Sequence, residues 1–283
     1  MRTSTATVEV VPDRDDPNGV TVLLDGVPSS HLDLEDPTRL FFEYMQQMAV
    51  FLDHAAPAGE PLRVVHLGAA GCALARYVAA TRPGSRQIAV DVDGELVRLV
   101  REWFDLPRSP GLRLRVGDAR AQLATLGDAS ADVIVRDVFA PDVTPVHVTT
   151  AEFTADVRRV LAPGGLYLAN CADRPGLQAV RSEVATISHV FPHVAATAEP
   201  AQLRGRRYGN VTVAATTRGD LLDEPHVARA VRSLPAPTRL LHGADLAALV
   251  GHAKILHDPH DPALDLRGRE DRTDAPDPDW HDE

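Results

Sequence analysis

From Leu62 onward, short apolar runs alternate with amphipathic stretches of helical period, and this alternation limits the fold more than any other feature of the chain. The strand candidates are 63–67, 87–90, 112–116, 133–135 and 166–170, and the helices between them are 73–80, 94–104, 119–126 and 151–161. Strands this short and continuously apolar, each followed by a helix, belong in a parallel sheet buried on both faces. A helix at 177–190 follows. Two more strands, 194–199 and 208–215, can pair antiparallel across 200–207. The expectation is an α/β fold with a mostly parallel seven-stranded sheet and helices on both faces.

Before this unit, valine and leucine mark strands at 7–11 and 20–24, separated by the turn-forming Asp13-Arg14-Asp15-Asp16-Pro17-Asn18-Gly19. A short strand at 30–34 follows Asp25-Gly26. Asp36 and Pro37 read as the N-cap and first residue of a helix carrying Leu40, Phe41, Tyr44, Met45, Met48 and Leu52. After the sheet, 224–234 and 244–250 read as short helices. From His257 the chain holds ten acids, three arginines and four prolines. Such a composition cannot supply a core and reads as a disordered tail. The chain then divides into 1–57 (β-strands and a helix), 58–217 (the α/β domain), 218–256 (a helical extension) and 257–283 (the acidic tail). His252, His257 and His260 lack compact ligand spacing, so no metal site is expected.

The 283-residue chain carries 40 acids against 29 bases, a formal charge of −11. That balance argues against binding a phosphate backbone, and no nucleic-acid partner is expected. No uncharged apolar run reaches the ~18 residues of a membrane span. The opening lacks the basic-then-apolar pattern of a secretory signal. Cys72 and Cys171, the two cysteines, give no disulfide framework. A cytoplasmic location follows as the expectation.

In an open parallel sheet, ligands collect at the carboxyl ends of the strands, where the strand order reverses. Gly68-Ala69-Ala70-Gly71-Cys72 follows the first of these strands and leads into a helix. Small residues there let a ligand approach the backbone, and the helix start offers free N–H groups. Asp91 follows the second strand, 20 residues beyond Gly71, with Val92 beside it. A carboxylate at that place can accept hydrogen bonds from both ribose hydroxyls, while Asp93 caps the next helix. After the third strand, Asp118 can take a hydrogen bond from an adenine amino group and Ala119 can offer its backbone N–H; Asp118 also suits an N-cap. Asp137 ends the fourth strand at the switch point, where a carboxylate can hold an ammonium or act as a base toward an amine. Capping a loop is its plainer role. The loop 140–148 is a lid candidate. Asp132 and His66 read as structural, Cys72 as a small residue in a tight turn, and the arginines of 204–207 as an exposed hairpin turn paired with the acidic surface.

The small-residue turn, Asp91, Gly117-Asp118 and the Leu161-Ala162-Pro163-Gly164-Gly165 turn together resemble S-adenosylmethionine-dependent transferases. Within that class, the run from Asp118 to Gly165 looks like the spermidine synthase family, the polyamine aminopropyltransferases. The segments LDGVPSSHLDLEDPTRL, HLGAAG, RDVFAP and LRGRRYGN are similar to those of a divergent actinobacterial group in that family, and the likeness covers residues 20–215. The resemblance implies a Rossmann-like transferase fold with a small N-terminal β-rich segment. It implies S-adenosylmethionine or its decarboxylated form as co-substrate, without metal, held by Gly68, Ala69, Ala70, Gly71, Asp91, Val92, Asp118, Ala119 and Asp137. Asp137 would receive a proton from the attacking amine. Glu43, Phe139 and Asp142 would face a small-molecule acceptor, an amine in the family's polyamine biosynthesis. Pairing of N-terminal strands between subunits implies a homodimer.

The chain departs from the family at two acids. Members carry Gly-Gly-Gly-Asp-Gly-Gly after the first strand, where this chain has Gly68-Ala69-Ala70-Gly71-Cys72-Ala73. The acid that holds the aminopropyl ammonium is therefore Gly71. The Asp-Ser-x-Asp-Pro motif reads Asp137-Val138-Phe139-Ala140-Pro141, so the second acid is Ala140, with Asp142 two residues on. The tyrosine of the N-terminal helix motif is matched by Phe41, and its glutamate is kept as Glu43. Burying an ammonium without a partner costs several kcal/mol. Loss of two acids therefore fits transfer of an aminopropyl or methyl group to an acceptor less cationic than a diamine. Two other readings stay open: a non-catalytic nucleoside-binding or interaction module, and a nicotinamide-dependent dehydrogenase. The second lacks a Gly-x-Gly-x-x-Gly turn.

Overall fold

The computed structural model describes residues 1–139, 143–222 and 225–259. Strands β1 (Val8–Pro12), β2 (Gly19–Leu24) and β3 (Val27–Asp33) form an antiparallel sheet of three, with a bulge between Val22 and Leu23. Helix α1 (Glu43–Ala55) leads into the main sheet. There β4 (Arg63–Leu67), β5 (Arg86–Asp91), β6 (Leu112–Val116), β7 (Ala131–Arg136) and β8 (Leu161–Asp173) run parallel. Helices α2 (Ala73–Thr81), α3 (Gly94–Trp103), α4 (Ala119–Ala124) and α5 (Ala151–Val160) connect them. After α6 (Gln178–Val190), β9 (His193–Ala198) and β10 (Gly209–Thr216) add antiparallel to β8, separated by the single turn α7 (Pro200–Leu203). Helices α8 (Pro225–Arg232) and α9 (Gly243–Val250) flank β11 (Arg239–His242). The strand order is β11-β9-β10-β8-β7-β4-β5-β6.

Both faces of the sheet are apolar, which is why the strands read as continuous hydrophobic runs. Alternate residues feed two cores. Val64, Val133, Val135, Leu166 and Leu168 pack with α1, α2, α3 and α8 on one side. Val65, Leu67, Ile134, Tyr167 and Ala169 pack with α4, α5, α6 and α9 on the other. A period of two along each strand thus sorts neighbours to opposite layers.

Three expectations change. The sheet has eight strands, not seven, because β11 pairs antiparallel with β9, Leu241 opposite Ala196. Four residues between two helices carry too little pattern to show this in sequence, and the region after 217 is not purely helical. Helix α1 begins at Glu43 rather than near Asp36-Pro37. Asp36 spends its carboxylate on the N–H and hydroxyl of Thr38 two residues on, a local turn that competes with capping. Arg39 is held by Asp16 and Asp33, which fixes this turn against the end of β3. Finally, His257 and Asp258 do not begin a loose tail. Asp258 pairs with Arg120 at 2.5 Å, His257 lies 2.9 Å from Glu152, and the Leu256 carbonyl accepts from the Ala151 N–H. The tail from His260 lies outside the described residues. No helix among the described residues is long and apolar enough to cross a membrane.

Candidate active site

The order reverses between β4 and β7, and the carboxyl ends of β4 to β7 meet there. Gly68 follows β4 in a left-handed conformation, φ +78°. A Cβ on it would sit 2.1 Å from the backbone oxygen of Asp137, so only glycine lets the turn cross the end of β7. Ala70 (φ 37°) and Cys72 (φ 61°) are also left-handed, an uncommon strain for residues with side chains. The Asp91 carboxylate holds this loop. It accepts from the N–H groups of Ala69 (3.4 Å), Ala70 (3.1 Å) and Asp93 (3.0 Å). Burial raises the Asp91 carboxyl above its ordinary range, against the lowering effect of those donors. Gly71 donates to the Ser30 hydroxyl at 3.0 Å, and Arg76 reaches the carbonyls of Asp33 and Leu34. The N-terminal sheet is therefore docked directly on the turn. A Cβ at Gly71 would lie 2.8 Å from the Ser30 Cβ, so the family's acid has no room here.

Asp137 is partly buried, and both its oxygens are engaged. Tyr44 donates its hydroxyl to Oδ2 at 2.9 Å and Asn170 donates its amide to Oδ1 at 2.8 Å. Burial pushes the Asp137 carboxyl up, while the Asn170 and Tyr44 hydrogen bonds pull it down. The net direction is upward, which suits a group that takes a proton. The Tyr44 hydroxyl is held well above its ordinary range by burial and by Asp137. Asn170 Oδ1 is buried with no donor among the described residues. Beneath this group, the fully buried Arg136 pairs with Glu183 at 2.5 Å and donates to the carbonyls of Val148 and Asn170. It ties the loop after β7 to the end of β8.

Asp118 caps α4 by accepting from the Ala121 N–H at 2.9 Å, and its second oxygen faces His147 Nε2 at 2.7 Å. Burial raises its carboxyl, but the Ala121 N–H and His147 outweigh that and hold it below the ordinary range. Val92 is exposed beside Asp91, and Ala119 is buried in the first turn of α4. Asp93 caps α3 and also accepts from Thr3 and from the N–H and hydroxyl of Thr5, which folds the N-terminus onto this edge.

A cavity of about 410 Å³ opens on the other side of Tyr44. Phe41, Phe42 and Tyr44 form its aromatic wall, with Pro28 beside them. Its polar groups are Glu43, Gln47, Gln202 and Asn210. Tyr44 serves both places: its ring lines the cavity and its hydroxyl holds Asp137. Glu43 is exposed at this cavity. Phe139 is half-buried just after the β7 end, and Asp142 lies outside the described residues.

The geometry thus joins Gly68, Ala69, Ala70, Asp91 and Asp137 through direct contacts, and it places Glu43 on the cavity. Tyr44, Asn170, Gln47 and His147 were not singled out from sequence. Tyr44 hides within the apolar period of α1. Asn170, a polar residue at the end of a buried strand, was the one legible signal. His66 is a core residue bonded to Gln87 at 2.8 Å, its imidazole pushed down to about 4 by burial. The Cys72 thiol is pushed up to about 12 by burial and Asp91, an inert thiol. Asp132 pairs with Arg63 at the start of β7, the end opposite the cleft, and Arg207 pairs with Glu199, the N-cap of α7. Among the described residues, no cluster could hold a metal ion.

A largely parallel sheet with a glycine turn and acids at successive strand ends defines a Rossmann-like transferase fold of the S-adenosylmethionine-methyltransferase type. A family profile described as a methyltransferase domain matches residues 65–169. A solved structure of a probable spermidine synthase from Corynebacterium glutamicum is 37% identical, with a TM-score of 0.85 over 93% of this chain and 96% of that one. The chain belongs to the spermidine synthase-like family of this fold. Spermidine synthase from Thermotoga maritima shares the fold at 18% identity, with a TM-score of 0.59 over 89% and 82% of the two chains. A polyamine aminopropyltransferase from Chromobacterium violaceum is 28% identical over 141 residues, which cover 50% of this chain and 53% of that protein. The match therefore spans about half the length of such curated relatives.

Proposed function

We propose that this chain transfers an aminopropyl or methyl group from decarboxylated S-adenosylmethionine or S-adenosylmethionine to a small amine, with Asp137 as the carboxylate at the reacting nitrogen. The observation that carries the reading is the Tyr44–Asp137–Asn170 arrangement at the switch point, beside an aromatic-walled cavity. The cradle fits a nucleoside: Gly68 keeps the turn free of a side chain, and Asp91 and Asp118 stand at neighbouring strand ends. Gly68, Ala69, Ala70 and Gly71 would lie under it, with Asp91 at the ribose and Val92, Asp118 and Ala119 at the base. Glu43, Phe139 and Asp142 would serve the acceptor. When bound, the sulfonium nucleoside supplies an activated carbon.

The chain's own residues do the rest. Asp137 receives the proton of the incoming ammonium, which frees the nitrogen lone pair, and its upward-shifted carboxyl favours that transfer. Tyr44 and Asn170 fix the carboxylate in one orientation, so the nitrogen is held in line for attack. The test is Asp137→Asn, with nucleoside binding followed by calorimetry and transfer by mass spectrometry of the product. A fall in transfer of about 10²-fold or more with retained nucleoside binding is expected. Unchanged transfer, or no binding of S-adenosylmethionine, its decarboxylated form or methylthioadenosine at millimolar concentration, overturns the reading.

A further inference from the structure

Next to Asp137 in the chain lies a charge that packing alone does not call for. Arg136 (1% exposed) and Glu183 (5%) pair inside the layer that α5 and α6 form on the sheet. A buried ion pair is often no more stabilising than apolar side chains of the same volume, so its presence here points to a use. Its contacts show which parts it joins. Arg136 Nη2 meets Glu183 Oε2 at 2.5 Å and donates to the Asn170 carbonyl and to Cys171 Sγ, each at 3.2 Å. Arg136 Nη1 donates to the Val148 carbonyl, also at 3.2 Å. Glu183 Oε2 accepts in addition from the Cys171 thiol at 3.3 Å. One guanidinium therefore grips the part of β8 that carries Asn170 and the turn that ends the loop after β7. Successive residues at a strand end face opposite sides, so Asp137 points instead toward α1, where Tyr44 and Asn170 hold it. Among the described residues, the titratable groups acting on Asp137 are Tyr44 from α1 and Arg136 beside it; Glu183 from α6 and Cys171 from β8 stand behind Arg136. Burial raises the Asp137 carboxyl, and the Arg136 charge is one of the influences that lower it.

We propose that Arg136 and Glu183 are positioning residues for Asp137: the guanidinium fixes the strand end that aims the Asn170 amide, and Glu183 sets how much of the guanidinium's charge reaches the carboxylate. In a poorly screened interior that charge acts through the strand to the opposite face. Arg136 favours the ionised form of Asp137, and Glu183 tempers it so that the carboxylate still takes a proton. The catalytic consequence rests on the transferase reading; the coupling between the pair and Asp137 does not.

The test is the titration midpoint of the Asp137 carboxyl, read by carbon NMR of the full chain labelled at aspartate and assigned by the signal lost in Asp137→Asn. Glu183→Gln keeps an oxygen for Arg136 but removes the balancing charge, and should lower the midpoint by about half a pH unit or more. Arg136→Met combined with Glu183→Leu removes both charges and should raise it by a similar amount. The same double variant loses the grip on Asn170 and Val148, so transfer should fall about ten-fold while methylthioadenosine affinity by calorimetry stays within about two-fold. If Glu183→Gln does not fold, the double variant, which buries no charge at these positions, decides alone. A merely structural pair leaves the midpoint where it is. Midpoints that do not move, or that move in the same direction in both variants, overturn the inference, as does unchanged transfer in the double variant. A parent chain that neither binds nucleoside nor transfers removes the transferase reading and leaves the midpoint shifts to stand; a parent that transfers with unmoved midpoints does the reverse.

Discussion

Gly68→Ala is the sharpest test of how the turn and Asp137 depend on each other. An added Cβ would meet the Asp137 backbone oxygen at 2.1 Å and its carbonyl carbon at 2.7 Å. Both contacts are backbone, so no rotamer change relieves them. The left-handed φ of +78° costs about 1–2 kcal/mol for alanine. Forcing a methyl into packed surroundings adds about 1–3 kcal/mol. The sum, about 2–5 kcal/mol, lowers the melting temperature by about 4–20 °C for a domain of roughly this size. Relief requires the turn or the end of β7 to move by about 1 Å, and a displacement of that size costs transfer on the order of 10²-fold. Thermal melts and product mass spectrometry read the two effects separately. A variant that melts within about 1 °C of the parent and keeps its transfer rate refutes the close crossing of the two strand ends.

Gly71→Asp should not restore a family-like ammonium site: crowding against Ser30 and Leu32 costs about 1–3 kcal/mol, a melting shift of about 2–12 °C. A gain in affinity for decarboxylated S-adenosylmethionine at unchanged stability would disprove this. His147→Ala frees the Asp118 carboxylate, and because the exposed pair contributes at most about 1 kcal/mol, nucleoside affinity by calorimetry should rise up to about five-fold; weaker binding argues against a base contact at Asp118. Asp93 accepts from Thr3, Thr5 and the start of α3, which outweighs its burial and depresses its folded pKa. Its contribution is therefore present above the ordinary aspartate range, about pH 4, and is lost as pH falls through the lower folded value. Urea melts should show Asp93→Asn less stable by about 1–3 kcal/mol at pH 7, with a gap that narrows in acid; a constant gap contradicts the assignment.

Much of this architecture is written locally. The two-residue period of Val64, Val65, Val133 and Ile134 sets both faces of the sheet. Glycine or an acid after β4, β5, β6 and β7 marks the cleft, because turns and helix starts demand those residue types within a few positions. Asp93 and Asp118 as caps follow from the same short-range chemistry. Where sequence misled, a local rule lost to a nearby competitor, as when Asp36 turned on Thr38 instead of capping a helix.

The site itself was decided by the tertiary structure. Tyr44 meets Asp137 across 93 residues, Asn170 meets it across 33, and His147 meets Asp118 across 29. None of these pairings lies within one helical turn or one hairpin, so no periodicity encodes them; they exist because the strand order reverses between β4 and β7 and α1 packs over the far strands. Sequence alone established that carboxylates stand at the ends of a parallel sheet. Only the packing of distant elements decided which hydroxyl and amide hold them.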